Sequence, residues 1–262
     1  MRVVKIGGRA QSDPRVFTAI DAMWRSDPGG LCLVHGGGDE ISALQRALGR
    51  EPTFIGGRRV TTAEDMSLVR MILSGLVNKR IVSRLAALGV PALGVSGEDA
   101  AIIVAHASGE DAGDHVGVPH SVNDAALRHL MAGGFLPVIS PVSGRPVAGF
   151  AGTAMRDDCI GALNVNGDDA AAAVAIALAA DELLLVVDVP GVLREGELLN
   201  VIDADDVDAL IAGGEASAGM AAKLEAAVTA ARGGIGRVRI AGMETLLAGE
   251  GGTCVTRAEV PA

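Results

Sequence analysis

Two lysines of the chain stand where a positive charge needs an anion nearby. Lys5 lies inside an apolar strand pattern, and this pattern ends directly before Gly7 and Gly8. Lys223 falls in the first turn of a helix predicted over 220–232, where the helix macrodipole disfavours a cation. A lysine that reaches solvent from an edge strand or a helix surface would explain either position alone. A phosphate bound between a strand end and a helix N-terminus explains both, and we expect the two lysines to face one.

An acidic residue that could bind both lysines, Asp168, lies in the segment 162–193. A short, alanine-rich helix is predicted over 168–178, and a buried strand over 183–187 leads into Asp188 and a Pro-Gly turn. Asp168 begins the helix, so its side chain could serve as a helix cap. Placed between two lysines, the same carboxylate would hold their ammonium groups and keep them charged. We therefore predict a charge cluster formed by Asp168 and the two lysines.

Two glycine-rich loops follow apolar strand patterns, Gly7-Gly8 and Gly36-Gly37-Gly38. Glycine lets backbone amides approach an anion closely, because no Cβ stands in the way. Neither loop continues as a P-loop or as a dinucleotide-binding fingerprint, and each alone could be a tight turn. At neighbouring strand ends, however, two such loops indicate a shared anion site.

Two adjacent arginines, Arg58 and Arg59, lie in a predicted β-hairpin with strands over 53–55 and 58–60 around Gly56-Gly57. Neighbouring residues of a strand point to opposite faces, so only one of the two can face a site. We expect Arg59 to grip a carboxylate with its two-pronged guanidinium and Arg58 to lie on a solvated face.

Strands alternate with helices along the chain, which predicts an α/β fold with a three-layer α/β/α sandwich and an open, mostly parallel central sheet. In such sheets, ligands bind outside the carboxyl ends of the strands. We expect one continuous domain in which a lobe over residues 1–163 and a lobe over residues 164–262 share the sheet.

Two irregular features interrupt this alternation. Thr61 and Glu64 have capping-box spacing and predict the start of a long helical region that reaches Leu88, with a bend at Gly75. The segment Ser143–Gly161 has no clean hydrophobic period and reads as a loop or hairpin insertion.

Composition excludes several classes of protein. The formal net charge of −10 argues against nucleic acid or an anionic membrane as the main partner. No apolar run is long enough to span a bilayer, and the N-terminus enters a strand without a signal peptide. The cysteines (Cys32, Cys159 and Cys254) are far apart and odd in number, which suits a reducing cytoplasm. The five histidines show no ligand spacing, so no protein-bound metal is expected, and His35 is expected to pack structurally.

Seven segments in order resemble the amino acid kinase family and cover nearly the whole chain. They are VVKIGG (Val3–Gly8), VHGGG (Val34–Gly38), GRRVT (Gly57–Thr61), VNKRIV (Val77–Val82), LNVNGDDAA (Leu163–Ala171), DVPGVL (Asp188–Leu193) and GMAAKLEAA (Gly219–Ala227). The family's fold is the sandwich inferred above, and its N-terminal half holds the amino acid substrate while its C-terminal half holds the nucleotide.

The resemblance assigns roles residue by residue. Lys5 and Lys223 match the lysines that stabilise the transferring phosphoryl group, and Asp168 matches the aspartate that organises them. The matches to the holders of the acetylated amino acid are Gly37, Gly38, Arg59 and Asn164. The matches to the nucleotide site are Gly8, Asp188, Gly191, Val192, Leu193 and Ser217, the last in the loop before Met220.

Within the family, the chain resembles members that phosphorylate N-acetyl-L-glutamate with ATP, whose Mg²⁺ is carried by the nucleotide phosphates. A sister kinase for carrier-protein-bound α-aminoadipate or glutamate, a carbamate kinase and a non-catalytic ligand sensor remain as alternatives. The RVT sequence around Arg59 favours free acetylglutamate, and the presence of both lysines with Asp168 argues against a sensor. Arginine-inhibited members carry an extra N-terminal helix, which this chain lacks, so the resemblance implies a homodimer insensitive to arginine.

The chain departs from the family pattern at two places. The Ser143–Gly161 segment is longer than the usual connection, and Arg9 replaces a residue that is commonly small. Neither matches a catalytic position, although both could alter substrate entry.

Overall fold

Sixteen strands and nine α-helices are present in the computed structural model, which describes residues 1–108, 115–145, 161–214, 216 and 218–257. In chain order the strands are β1 (Arg2–Ile6), β2 (Leu31–His35), β3 (Phe54–Ile55), β4 (Arg58–Arg59), β5 (Ala92–Ser96), β6 (Ile103–Ala107), β7 (Val116–Val122), β8 (Leu136–Ser140), β9 (Val142–Gly144), β10 (Ala162–Val165), β11 (Glu182–Val186), β12 (Leu193–Arg194), β13 (Glu197–Leu198), β14 (Val201–Asp203), β15 (Arg237–Ala241) and β16 (Thr253–Thr256).

The α-helices pack on both faces of the central sheet. They are α1 (Pro14–Ser26), α2 (Gly38–Ala47), α3 (Ala63–Arg70), α4 (Asn78–Ala87), α5 (Asp124–Ala132), α6 (Gly167–Leu178), α7 (Val207–Ala212), α8 (Ala218–Arg232) and α9 (Met243–Ala248). Short 3-10 turns span Ala10–Ser12 and Asp99–Ala101. Within the described ranges, a helix with the length and apolarity needed to cross a bilayer is absent.

The central sheet has eight strands in the order β14-β16-β15-β11-β1-β2-β8-β5. Its strands pair in parallel except at β15–β16, which are antiparallel. Strands from the N-terminal half lie on one side of β1–β11, and strands from the C-terminal half lie on the other. The predicted open, mostly parallel α/β sandwich is therefore confirmed, and its two sequence halves meet at β1 and β11.

Alternation along β1 decides which helices each side chain meets. Val4 and Ile6 lie in the hydrophobic cluster that includes α1 and α4, whereas Val3 lies in the cluster that includes α6 and α8. Lys5 shares the face of Val3, because strand side chains alternate. The reading of Lys5 as an edge-strand residue is wrong, since β1 pairs on both sides and the lysine is 6% exposed.

A second, small sheet closes on itself in the order β10-β7-β6-β9. The sequence did not predict this closed sheet. The flanking strands β9 and β10 pair antiparallel, and β10 delivers Asn164 to the carboxyl side of the central sheet. Most of the predicted Ser143–Gly161 insertion, residues 146–160, lies outside the described residues.

The predicted long helical region is α3, a π-helical segment over Met71–Val77, and α4. Gly75, where a bend is predicted, lies inside this segment of wider helical turns. The capping box is one residue later than predicted, because Thr62 accepts from the Asp65 backbone and the Asp65 side chain bonds back to the Thr62 amide. Thr61 instead donates to the carbonyl of Arg59 (3.3 Å).

Candidate active site

Asp168 holds one lysine on each of its carboxylate oxygens. Oδ1 lies 2.7 Å from Lys5 Nζ, and Oδ2 lies 3.2 Å from Lys223 Nζ. The three residues come from β1, α6 and α8, which meet on one face of the sheet at its carboxyl edge. The predicted charge cluster is present in the structure.

The local sequence leaves the Asp168 carboxylate available for this task. The N-cap of α6 is Asn166, whose Oδ1 accepts from the Asp168 amide at 2.7 Å. The alternative reading of Asp168 as the helix cap is therefore wrong. A negative charge in the first helical turn is also favoured by the macrodipole. The Asn-Gly-Asp order, with an N-cap residue type two positions earlier, was a signal that could have identified Asn166.

Burial and charge act in opposite directions on the cluster. Burial on its own would raise the pKa of Asp168, but Lys5 and Lys223 together hold that pKa below the ordinary aspartate value. Burial lowers the pKa of Lys5, and the neighbouring Asp168 only partly offsets this. The cluster therefore consists of buried charges that depend on one another, an arrangement frequent at functional sites.

Lys223 lies in the second turn of its helix rather than the first, because α8 begins at Ala218. Its ammonium still reaches toward the helix N-terminus and lies 3.4 Å from the carbonyl oxygen of Gly219. Side chains of a helix incline toward its N-terminus, which explains how a second-turn lysine comes to lie there.

A cavity of about 270 Å³ opens in front of the cluster. Both glycine-rich loops line it, together with Asn166 and Gly167 at the start of α6, which the sequence interpretation did not assign to the site. A Cβ at Gly37 would lie 2.7 Å from Leu73, and one at Gly167 would lie 3.3 Å from Lys5 Cε. Glycine at these two positions therefore lets the backbone pack closely against Leu73 and Lys5 at the cavity wall.

Arg59 is buried at the cavity wall and anchors the hairpin to α2. Its Nη2 donates to the carbonyl of Gly38 (2.8 Å) and to the Ser42 hydroxyl (2.7 Å), and its Nη1 donates to Gln45. Asn164 lines the same cavity and donates to Thr61 Oγ1 at 2.8 Å. The candidate substrate residues Gly37, Gly38, Arg59 and Asn164 thus surround one cavity.

Arg58 does not lie on a simple solvated face, contrary to expectation. It also lines the cavity and forms ion pairs with Asp169 of α6 (3.1 Å) and Glu225 of α8 (2.9 Å). The adjacent arginines therefore attach the hairpin to different helices.

A second cavity, of about 480 Å³, lies on the side of the C-terminal half. It shares Gly7, Gly8, Asp39 and Lys223 with the first, so the two cavities adjoin beside the charge cluster. Asp188 lines it.

Across its mouth, Arg9 Nη1 pairs with Asp188 Oδ2 at 2.7 Å. The hydrogen bond from Arg9 holds the pKa of Asp188 below the ordinary aspartate value.

Three other predicted nucleotide residues, Gly191, Val192 and Leu193, do not line these two cavities. Gly191 and Val192 pack against Thr253, whose hydroxyl accepts from the Val192 amide at 2.8 Å, and Leu193 begins the β12–β13 hairpin. Ser217 lies outside the described residues. A nucleotide-binding role for these positions stays a prediction.

A buried histidine supports the glycine-rich loop. Asn78 donates to His35 Nε2 (3.1 Å), so the ring proton resides on Nδ1, which donates to the carbonyl of Gly36 (3.0 Å). Burial lowers the pKa of His35 to about 4, which keeps the ring neutral near pH 7. The sequence interpretation of His35 as a structural residue agrees with this packing.

Comparison with known sequences identifies the class of protein. Residues 1–242 match the amino acid kinase family, and the chain belongs to that family. A relative named acetylglutamate kinase from Roseiflexus sp. (strain RS-1) is 38% identical over 98% of this chain and 94% of its own length. The acetylglutamate kinase of Methanopyrus kandleri is also 38% identical, over 96% of this chain and 98% of the relative.

Solved structures agree with this assignment. A Streptococcus mutans UA159 protein superposes with a TM-score of 0.83 at 30% identity, covering 97% of this chain and 98% of that one. The N-acetylglutamate synthase of Neisseria gonorrhoeae, solved with coenzyme A and N-acetyl-glutamate, gives 0.77 at 26% identity over 97% of this chain and 59% of that one. A Giardia carbamate kinase, at 15% identity and a TM-score of 0.68, shares the fold.

Proposed function

We propose that this protein phosphorylates the side-chain carboxylate of N-acetyl-L-glutamate with ATP, a step of arginine biosynthesis. The observation that carries the proposal is the Lys5–Asp168–Lys223 cluster at the junction of two cavities. The full-length similarity to acetylglutamate kinases supports the choice of substrate.

The chemistry requires no general base, because the acceptor carboxylate is already ionised near pH 7. A carboxylate oxygen forms a bond to the γ-phosphorus, the bond to the β,γ-bridging oxygen breaks, and ADP leaves with that oxygen. The products are an acyl phosphate and ADP. Catalysis then depends on alignment and on stabilising the charge of the transferring group. Lys5 and Lys223 supply that stabilisation, and Asp168 fixes both ammonium groups.

The N-terminal lobe, residues 1–163, with Asn164 at its boundary, holds the acceptor in the first cavity. Arg59 grips the α-carboxylate of acetylglutamate, and Asn164 and the Gly37-Gly38 amides contact its other polar groups. Arg59 is supported in this role because it lines the first cavity and its guanidinium keeps donors beyond those bonded to Gly38, Ser42 and Gln45.

The C-terminal lobe, residues 164–262, holds ATP in the second cavity, with Gly8 and Lys223 at the phosphates and Asp188 farther along. Mg²⁺ is carried by the nucleotide phosphates in this proposal and neutralises their charge. The cytoplasm is the proposed compartment.

A homodimer is the proposed assembly. The π-helical segment exposes Met71 (57%) and Leu76 (54%), and β5 forms an edge of the central sheet. A second copy would cover both features. Analytical ultracentrifugation of the protein and of a Leu76→Asp variant tests this, because a monomeric parent contradicts the proposal.

A coupled ADP-release assay tests the substrate assignment. We expect turnover with N-acetyl-L-glutamate and little with N-acetyl-α-aminoadipate or carbamate, and Asp168→Asn serves as the inactive control. Preference for either other acceptor would transfer the assignment to another kinase of the family. ADP release equal to that of the Asp168→Asn control with all three acceptors would support a ligand sensor instead.

Arg59 provides a test of how the acceptor is held. Arg59→Ala should raise the KM for acetylglutamate sharply and leave the KM for ATP little changed, because one substrate loses a carboxylate contact. Arg59→Lys should recover only part of the loss, since an ammonium lacks the planar two-pronged donor set. Steady-state kinetics with each substrate varied in turn give the answer. An unchanged KM for acetylglutamate would remove Arg59 from the acceptor site.

A further inference from the structure

The β3–β4 hairpin is attached to both halves of the molecule by its two adjacent arginines. Arg59 binds α2, in the N-terminal half, through Gly38 and Ser42. Arg58 points toward α6 and α8, in the C-terminal half. Because neighbouring strand residues alternate in direction, this pair of residues can make both attachments across the first cavity.

The contacts of Arg58 end next to the charge cluster. Its Nη2 lies 3.1 Å from Asp169 Oδ2 and 3.3 Å from Oδ1, and its Nη1 lies 2.9 Å from Glu225 Oε2. Asp169 directly follows Asp168 on α6, and Glu225 lies two residues after Lys223 on α8. One guanidinium therefore ties the hairpin to the two helices that carry the acid and the second lysine.

The charges at this bridge need one another. The Asp169 side chain is 17% exposed, and its burial raises its pKa, an effect that Arg58 opposes. Without the guanidinium, Asp169 and Glu225 would face each other as like charges. Their repulsion would act directly on the spacing of α6 and α8, and so on the spacing of Asp168 and Lys223.

We propose that Arg58 is a positioning residue that holds the hairpin over the acceptor cavity and aligns the acceptor with the lysine cluster. The inference rests on the proposed kinase function. Arg58 acts through Asp169 and Glu225, which fix the helices, whereas Arg59 acts on the acceptor itself.

Steady-state kinetics of Arg58→Ala test the proposal against Arg232→Ala. Arg232 lies on α8, one of the helices that Arg58 contacts, and pairs with Asp205 at 2.8 Å, outside both cavities. We expect Arg58→Ala to lower kcat/KM for acetylglutamate by about 10- to 100-fold, as misalignment of reactants does, with the KM for ATP within about twofold. Arg232→Ala should behave like the parent. Arg58→Ala kinetics within about twofold of the parent would overturn the proposal.

A double-mutant cycle shows whether Arg58 acts through the bridge. Glu225→Gln removes the ion pair between Arg58 and α8. It should lower kcat/KM for acetylglutamate less than Arg58→Ala does. The double variant should be no worse than Arg58→Ala alone, because residues that act as one unit are non-additive. Fully additive losses would show that the two residues act separately and would overturn the bridge.

Hydrogen exchange gives a readout that needs no turnover. The amides of residues 54–59 should exchange faster in Arg58→Ala than in the parent, both without substrate and with acetylglutamate. Unchanged exchange contradicts the proposal, and Arg58→Gln serves the same comparison if the alanine variant is poorly folded. An inactive parent would reject the proposed function, while the exchange of the free protein would still test the bridge.

Discussion

Two buried carboxylates, each surrounded by cations, lie at opposite edges of the central sheet. Asp168 is at the carboxyl edge and binds Lys5 and Lys223. Glu182 is at the amino edge, where it pairs with Arg239 at 2.6 Å. Both carboxylate side chains are 5% exposed. The two carboxylates are therefore equally buried, and the clusters differ in the cations that surround them.

The arginine cluster follows the register of the sheet. Arg2, Glu182 and Arg237 are direct neighbours across β1, β11 and β15, and Arg239 lies two residues along on the same face of β15. Arginine keeps its charge at any relevant pH and binds a carboxylate through a planar fork. These ion pairs join three adjacent strands at their starts, and we interpret them as structural.

The lysine cluster faces a cavity instead. An ammonium group has three donors; both lysines pair with Asp168 and Lys223 also contacts the Gly219 carbonyl, so donors remain for an anion. The comparison teaches that a buried carboxylate with flanking cations is not by itself a functional site. The identity of the cations and the presence of a cavity distinguish the two clusters.

The largest expected effect is a loss of stability when the arginine cluster is broken. Glu182→Gln should lower the free energy of unfolding by about 3–5 kcal/mol, because the buried Arg239 loses its charged partner. Chemical denaturation measures the loss, and activity per folded molecule should be unchanged. Arg237→Ala, at the half-exposed rim of the same cluster, should cost less than about 1 kcal/mol. A fall in turnover with full stability would contradict the structural assignment.

The lysines should show the opposite behaviour. Lys5→Ala and Lys223→Ala should each reduce turnover by about 10²–10³, which is typical for the loss of one group that stabilises developing charge. Thermal unfolding should change much less than in Glu182→Gln, because in each variant Asp168 keeps the other lysine as a charged partner. Near-normal turnover in either variant would remove that lysine from the mechanism.

Alkaline pH should affect the lysine cluster and not the arginine cluster, so a pH profile compares the two without mutation. Burial lowers the pKa of Lys5, so activity should fall on an alkaline limb below the ordinary lysine pKa of about 10.4. Between the folded and unfolded pKa values of Lys5, the folded state binds fewer protons, so this group's contribution to stability rises with pH.

The pH profile has few competing groups, since the chain has no tyrosine and its other lysines are Lys79 and Lys223. A profile of kcat/KM beside thermal melts gives the comparison, and Lys79→Arg should keep the same limb. An activity loss that only follows unfolding would refute this reading of Lys5.

The smallest expected effect concerns α6, which connects the two edges. Its C-cap residue Ala179 adopts φ 48° and ψ 50°, a left-handed conformation that favours glycine. Ala179→Gly should increase stability by about 0.5–1 kcal/mol and leave kinetics unchanged. Ala173→Gly, in the interior of the same helix, should cost about 1 kcal/mol. Denaturant midpoints measure both changes in stability. Equal losses of stability in the two variants would contradict the predicted gain at Ala179.

The sequence predicted the sheet and the lysine cluster because both leave local signals. Apolar strand runs mark parallel strands, and a lysine before Gly7-Gly8 is unusual within one. Small shifts, such as the capping box at Thr62 and the earlier start of α8, arose because several neighbouring residues could begin each helix.

The arginine cluster and the Arg58 bridge left no comparable signal. Glu182 and Arg239 are 57 positions apart, and their contact depends on the register of β11 and β15. Arg58 and Glu225 are 167 positions apart and belong to a hairpin and a helix of different halves. Pairings of this kind follow from the assembled fold, and spacing along the chain does not encode them.

The π-helical segment determines the direction in which the side chains of the following helix, α4, point. In an α-helix each residue turns the next by about 100°. Leu73 and Val77 lie 2.7 and 3.1 Å from the position of a Cβ at Gly37, and Asn78 donates to His35. Removing one residue from this segment would rotate Asn78 away from the glycine-rich loop. Length changes here are therefore changes to the active site, because Leu73 of this segment also lines the first cavity.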